Sequence, residues 1–183
     1  KSTLPIRGQT LGILGLGRIG RSVAVRATAL GMKVLAYDAF PNEAFAQEHG
    51  IQLVDFDRLL AESAYLTIHC PLNDDTHGLF NQQTLAKMKA GSVLVNTARG
   101  LLVVEADLIE AIEAGHIYGA GLDVFEKEPP ETNNPLLKNK RVLLSRHAAT
   151  FTKECLENMS LETAQNIIDF FDKKLEKFKI VKL

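Results

Sequence analysis

Three glycines near the beginning of the sequence, Gly15, Gly17 and Gly20, follow the pattern G-x-G-x-x-G. An apolar run precedes them, and a second apolar run further along the chain ends at Asp38. The first glycine permits a tight turn, the second lets the backbone approach a pyrophosphate, and the third lets a helix pack closely on a strand. A carboxylate after the second strand can accept hydrogen bonds from ribose hydroxyls. The spacing therefore predicts a dinucleotide site.

The surroundings of Asp38 indicate which dinucleotide the site would take. A phosphate on the ribose 2′ position would meet like charge at this carboxylate. Residues 39–42 contain no Arg or Lys that could accept such a phosphate. We therefore expect NAD in preference to NADP.

Three later segments, 96–100, 121–129 and 145–150, carry polar side chains where predicted strands end. They contain Arg99, the carboxylates Asp123 and Glu128, and His147. Because ligands bind at the carboxyl ends of strands in open α/β sheets, these side chains should lie beside the bound cofactor. A guanidinium fork suits a carboxylate, and an imidazole can both give and accept a proton near neutral pH.

The elements that must position these residues alternate between apolar runs and helical patterns. The apolar runs predict strands at 10–15, 33–38, 65–70, 92–96, 119–123 and 141–145. The helical patterns predict helices at 18–30, 42–49, 56–61, 82–88, 105–114 and 152 to about 174. This alternation predicts an α/β fold with a doubly wound parallel sheet, whose strands are covered on both faces. The apolar stripe of the last helix (Leu156, Met159, Ile167, Phe170, Phe171) predicts packing in a core.

The composition narrows the functional class. The 183 residues carry a formal net charge of −1, which does not indicate nucleic acid or a membrane surface as a partner. The sequence has no apolar run of the roughly 20 residues that cross a bilayer, and its first residues lack the apolar core of a signal peptide. Cys70 and Cys155 have no paired spacing, so we expect reduced thiols in a cytoplasmic protein. No grouping of His, Cys and Asp has metal-ligand spacing, so we expect no metal.

Five motifs together resemble the cofactor domain of the D-isomer-specific 2-hydroxyacid dehydrogenases. They are GLGRIG with Asp38, HCPL at 69–72, NTARG at 96–100, GLDVFEKEP at 121–129 and the late His147, in the family's order and spacing. The resemblance runs from about Gly8 to the last helix. It implies a Rossmann-type domain that binds NAD, and hydride transfer between NAD(H) and a D-2-hydroxyacid or its 2-oxoacid.

The same resemblance implies a role for each polar residue. Arg99 would hold the substrate carboxylate and carbonyl, and His147 would be the acid/base. Glu128 would pair with His147, orient its ring and favour its protonated form. The residues that would contact the cofactor are Gly15, Gly17, Arg18, Ile19, Gly20, Asp38, Cys70, Pro71, Leu72, Thr76, Thr97, Ala98, Arg99, Asp123 and His147.

Two local departures from the family pattern lie beside these residues. Leu101 follows Gly100 where many members have Gly or Glu, and Arg146 precedes His147 where proline is usual. A cation at Arg146 would either disfavour the protonated form of His147 or add affinity for an acidic substrate.

The larger departure is length, because family members carry a separate substrate domain that is built mostly from residues before the glycine motif. We expect residues 1–183 to be a single NAD-binding domain without that substrate domain, which binds NAD(H) but turns over poorly or not at all by itself. The substrate stays open among small 2-hydroxyacids and 2-oxoacids. A homodimer through the cofactor domain is expected, and the apolar surface of helix 105–114 is either its contact or ordinary core.

Two other functions fit parts of the sequence. A non-catalytic NAD-sensing module of corepressor type is the main alternative, although the complete set of Arg99, Glu128 and His147 favours an enzyme. Relatives that oxidise formate have an amide in place of Glu128. The NTARG and DVFEKEP segments speak against the homocysteine-releasing hydrolases.

Overall fold

A computed structural model describes residues 5–176. Residues 5–147 contain a parallel sheet of seven strands flanked by helices. The strands are β1 (Thr10–Leu14), β2 (Lys33–Tyr37), β3 (Gln52–Leu53), β4 (Tyr65–Ile68), β5 (Ser92–Asn96), β6 (Ile117–Leu122) and β7 (Val142–Leu144). The helices are α1 (Arg18–Ala29), α2 (Glu43–Glu48), α3 (Phe56–Glu62), α4 (Gln82–Lys87), α5 (Glu105–Glu113) and α6 (Lys153–Phe171). The predicted doubly wound α/β fold is confirmed.

The strand order is β3-β2-β1-β4-β5-β6-β7, and every pairing is parallel. The order reverses direction between β1 and β4, and a crevice opens at such a switch point beyond the carboxyl ends of the strands. The glycine motif follows β1, so the fold places it at this crevice. Asparagine and aspartate side chains cap three of the helices, which fixes where α2, α3 and α4 begin.

The sheet divides the core of the first unit of the chain, which ends at His147. Ile13 and Leu14 are neighbours in β1 yet belong to different apolar clusters, because successive strand residues point to opposite faces. The larger cluster includes side chains of α3, α4 and α5, and the smaller one includes side chains of α1 and α2. Leu108 and Ile112 of α5 are fully buried, so these two apolar residues pack in the core.

Burial differs from the prediction at one side of the sheet. Strands β1 and β4 are buried almost throughout, as predicted for strands covered on both faces. Burial alternates along β5, and Leu143 of β7 is 80% exposed. One face of these later strands is therefore less covered among the described residues.

The second unit begins at Ala148 and contains α6. The Thr152 hydroxyl accepts a hydrogen bond from the Cys155 N–H and caps the helix, as its sequence suggests. The predicted core packing of α6 is wrong, because no residue of the helix is buried and Phe171 is 78% exposed. Its periodicity identifies an apolar stripe but not a partner for it.

Candidate cofactor and active site

The chain turns sharply after β1 at Gly15, which has a φ of +92°. A Cβ at this position would lie 2.7 Å from the backbone nitrogen of Cys70 and 2.7 Å from the carbonyl carbon of His69. The end of β1 therefore approaches the chain after β4 as closely as a bare backbone allows. Only glycine combines this conformation with this approach.

The backbone is crowded at Gly20 and open at Gly17. A Cβ at Gly20 would lie 2.0 Å from the Gly15 carbonyl oxygen, so the missing side chain lets α1 pack against the turn. Apart from its neighbours in the chain, a Cβ at Gly17 would have no atom within 4 Å. Gly17 is also the N-cap of α1 and provides no side-chain cap. The open space at Gly17 therefore faces the end of a helix at which backbone N–H groups and a partial positive charge favour phosphate.

The Asp38 carboxylate is fixed by two backbone groups. Its Oδ2 accepts a hydrogen bond of 2.6 Å from the Leu16 N–H, and its Oδ1 accepts one of 2.8 Å from the Phe40 N–H. The first bond ties the end of β2 to the glycine turn. Each carboxylate oxygen has a further lone pair, so Asp38 can still accept hydrogen bonds from a ribose.

A cleft of about 530 Å³ lies between the glycine turn, the end of β2 and the chain after β4. Six of the predicted cofactor residues line it: Gly15, Gly17, Asp38, Cys70, Pro71 and Thr76. Leu72 packs instead against the apolar core, and Ile19 is exposed on α1. Phe40 and Phe56 also line the cleft. Neither residue was predicted from the sequence, although Phe40, two residues after Asp38, could have suggested a cover for a flat ring.

Two titratable side chains on the cleft wall are neutral near neutral pH. Burial lowers the pKa of His69 and raises the pKa of the Cys70 thiol, because a low-dielectric environment disfavours each charged form. The Thr67 hydroxyl lies 3.0 Å from His69 Nε2. His69 and Cys70 therefore add no charge to the cleft, whose acidic lining residues are Asp38 and Asp75.

The turn after β5 is held by Asn96, which the sequence analysis did not single out. The buried Asn96 side chain accepts a hydrogen bond from the Ala98 N–H and donates one to the Arg99 carbonyl. These two bonds fix the backbone of Thr97, Ala98 and Arg99. The Arg99 side chain is exposed, and its Nη1 donates to the Ala98 carbonyl over 2.6 Å.

Asp123 connects three strand ends. Its N–H donates to the Asn96 carbonyl, which joins the ends of β5 and β6. Its carbonyl accepts a 2.7 Å hydrogen bond from the His147 N–H, and its carboxylate accepts a hydrogen bond from the Ser145 hydroxyl. Ser145 was another residue that the sequence analysis did not assign. Asp123 is thus buried and tied to the segment that carries His147.

His147 and Glu128 form a direct pair. The distance from His147 Nδ1 to Glu128 Oε2 is 2.7 Å, and the other carboxylate oxygen accepts a hydrogen bond from the Phe125 N–H. The bond to His147, and then the bond from Phe125, lower the pKa of Glu128. His147 adopts a φ of +53°, a conformation that is uncommon for residues other than glycine and that concentrates at functional sites.

Residues 1–149 match the family model for the NAD binding domain of D-isomer specific 2-hydroxyacid dehydrogenases. The chain belongs to this family. NAD is the cofactor of the family domain, and it fits the open space at Gly17 and the free lone pairs of Asp38. The family and the cofactor that the motifs predict are both confirmed.

The chain is similar to D-3-phosphoglycerate dehydrogenase of Archaeoglobus fulgidus, with 47% identity over 91% of this chain and 32% of the relative. It is similar to glyoxylate reductase of Korarchaeum cryptofilum, with 43% identity over 90% of this chain and 50% of the relative. Among solved structures, D-lactate dehydrogenase with NAD+ from Lactobacillus jensenii has a TM-score of 0.89 at 31% identity, over 100% of this chain and 58% of that chain. The chain thus spans less than two thirds of these relatives.

The described residues lack two other kinds of feature, a metal-binding cluster and a membrane-spanning helix. Among residues 5–176, no group of three or more His, Cys, Asp or Glu side chains could hold a metal ion. In the same part of the chain, no helix is long and apolar enough to cross a membrane. Both cysteines are free thiols.

The geometry of Asp38 leads to a prediction about cofactor choice. NADH should bind at least about 100-fold more tightly than NADPH, because a 2′-phosphate against this carboxylate would cost several kcal/mol. Asp38→Asn keeps an oxygen for the Leu16 N–H but removes the charge, so it should narrow this ratio mainly by improving NADPH binding. Fluorescence titration of both cofactors measures the ratio. Equal affinity of the unmodified chain for NADH and NADPH would contradict the role given to Asp38.

Proposed function

We propose that this chain is the cofactor-binding part of an oxidoreductase that moves a hydride between NAD(H) and a D-2-hydroxyacid or its 2-oxoacid, with His147 as the acid/base. The 2.7 Å pair of His147 and Glu128, at the same edge of the sheet as the glycine turn, is the observation that carries this proposal. The family membership and the names of the relatives, which include dehydrogenases and reductases, support it.

The pairing with Glu128 supports a role for one particular nitrogen of His147. Because the pKa of Glu128 is lowered, its carboxylate is charged near neutral pH and can only accept a hydrogen bond. Nδ1 of His147 would then carry a proton, and Nε2 would be the nitrogen that faces substrate. Nε2 would give a proton to the substrate oxygen during reduction and remove it during oxidation.

Arg99 would hold the substrate by its carboxylate. Its guanidinium is exposed and uses one described hydrogen bond, to Ala98 next to it. Asn96 fixes the backbone of this turn, so the position of the Arg99 Cα is well defined. A guanidinium can bind a carboxylate through two parallel hydrogen bonds, which would set the orientation of the carbonyl.

NAD supplies the hydride chemistry when it is bound. The glycine turn, the N-terminal end of α1 and Asp38 would hold its pyrophosphate and ribose. Cys70, Pro71, Leu72 and Thr76 would lie on the adenine side, with Arg18 and Ile19 at the beginning of α1. Thr97, Ala98 and Asp123 would position the nicotinamide end, which brings it to the segment of His147.

The exposure of His147 and Glu128 suggests that another part of the protein covers them in the complete site. The His147 side chain is 51% exposed and that of Glu128 is 36% exposed. A proton transfer of this kind works best where water is excluded. We therefore propose that a separate substrate domain completes the site and that the chain turns over slowly without it. We also propose that a homodimer forms through this cofactor domain. A reducing, cytoplasmic setting stays a prediction.

A non-reactive substrate analogue tests the role of Arg99. Oxamate, which has the shape of pyruvate, should bind to the chain saturated with NADH, and Arg99→Met should weaken this binding by about 10- to 100-fold. The reason is that one charged hydrogen bond contributes roughly 1.5–3 kcal/mol. Isothermal titration measures the affinity. Arg26→Met, on the exposed side of α1, is the matched control, and an Arg99→Met chain that binds oxamate as well as this control would rule out the assigned role.

A further inference from the structure

Two glutamates far apart in the chain bind each other's backbone. The Glu105 N–H donates to Glu126 Oε1 over 2.7 Å, and the Glu126 N–H donates to Glu105 Oε1 over 2.7 Å. The second oxygen of Glu105 accepts a 2.7 Å hydrogen bond from the Asn134 side chain. Three segments therefore meet at these carboxylates: the beginning of α5, the loop after β6, and the residues that precede the turn at Pro135–Lys138.

The arrangement compensates for a missing cap. Val104 is the N-cap of α5 and offers no side-chain oxygen, so the first N–H of the helix needs another acceptor. Glu126 supplies it from the loop, and the positive end of the helix favours its charge. Two neighbouring carboxylates repel each other in isolation, but here each receives a backbone donor. Glu105 and Glu126 can therefore lie side by side only while the loop keeps this conformation.

The same loop carries Glu128. A Cβ at Gly100 would lie 1.8 Å from the Phe125 carbonyl oxygen and 2.6 Å from the Glu126 nitrogen, so the loop backbone packs directly on the residue after Arg99. The Phe125 N–H then donates to Glu128. Glu126 anchors the loop just before Glu128, and Asn134 anchors it after Glu128.

We propose that Glu105, Glu126 and Asn134 form a clasp whose role is to position Glu128 against His147. The clasp residues are positioning residues, since their described bonds are to one another and to the backbone rather than to His147. The proposal rests on the proposed function, because the His147–Glu128 pair matters for catalysis only if His147 is the acid/base. The effect of the clasp on the position of Glu128 can be measured without turnover. Without the clasp, the partly exposed Glu128 would keep only the Phe125 N–H and His147 to hold it.

The titration of the Glu128 carboxyl, followed by NMR in the full chain, tests the clasp. The bond to His147 holds the pKa of Glu128 below its ordinary value. In Glu126→Ala the midpoint should rise towards that of an ordinary glutamate. In Glu126→Gln, whose amide oxygen can still accept from the Glu105 N–H, it should stay near the midpoint of the unmodified chain.

A matched control separates positioning from stability. Asp107 lies in the same first turn of α5, and its carboxylate accepts a hydrogen bond from the Gln82 N–H, away from the loop. Asp107→Ala should lower stability without moving the Glu128 midpoint. If Glu126→Ala does not fold, the shorter Glu126→Asp gives the answer, because it keeps the charge but loses reach.

A folded Glu126→Ala or Glu126→Asp chain with an unchanged Glu128 midpoint would overturn the clasp. An equal rise in Asp107→Ala would overturn it as well. If the midpoint rises as expected but His147→Asn oxidises NADH as fast as the unmodified chain, the clasp stands and the proposed function fails, so the two failures are distinguishable.

Discussion

Replacing Gly17 with valine should lower the affinity for NADH by at least about 100-fold while leaving the chain folded. Apart from the neighbours in the chain, a Cβ at this position has no protein atom within 4 Å, and the φ of −72° is accessible to valine. The added methyl groups would occupy the space in front of α1, where phosphate approaches the helix N–H groups. Loss of two charged hydrogen bonds at roughly 1.5–3 kcal/mol each accounts for a factor of this size.

Gly20 provides the matched comparison in the same motif. A Cβ there would lie 2.0 Å from a backbone oxygen, so Gly20→Ala should destabilise the fold by about 1–3 kcal/mol, as overpacking does. Thermal unfolding and NADH fluorescence titration, applied to both variants, separate the two effects. If Gly17→Val bound NADH as tightly as the unmodified chain, the cofactor would not approach this turn in the proposed way.

Most elements could be predicted because their patterns are local. The predicted strand at 92–96 agrees with β5, and the other predicted strands and helices overlap observed ones with shifted ends. Strand β3 was missed because two residues, Gln52 and Leu53, are too few to show a period. The packing of α6 could not be predicted, because an apolar stripe identifies a face of a helix and not what covers it.

The glycine turn and Asp38 could be predicted because the pattern itself encodes backbone conformation and close approach. The contacts that hold the acid/base segment follow no such rule. Ser145 bonds to Asp123, and Glu105 bonds to Glu126, across about twenty residues of chain with no repeating signal between them. Such pairs depend on the order of strands in the sheet, which brings the carboxyl ends of β5, β6 and β7 side by side.

The second large effect concerns His147. His147→Asn removes the nitrogen that would exchange a proton with the substrate oxygen, and should slow NADH oxidation by a 2-oxoacid by at least about 100-fold, within the range for general acid/base catalysis. NADH affinity should change much less, because the glycine turn and Asp38 are untouched. His49→Asn is the control, since His49 lies at the C-terminal end of α2, where its ring contacts that of Phe45 in a tilted arrangement, and it takes no part in the pair with Glu128.

Single-turnover oxidation of NADH tests the central claim most directly. The chain is held in excess over NADH, glyoxylate is added, and the loss of NADH absorbance is followed for the unmodified chain, His147→Asn and His49→Asn. We predict slow, glyoxylate-dependent oxidation by the unmodified chain and by His49→Asn, and a rate at least about 100-fold lower for His147→Asn. Equal, measurable rates in all three chains would contradict the account, because His147 would then not be the residue that exchanges a proton with the substrate.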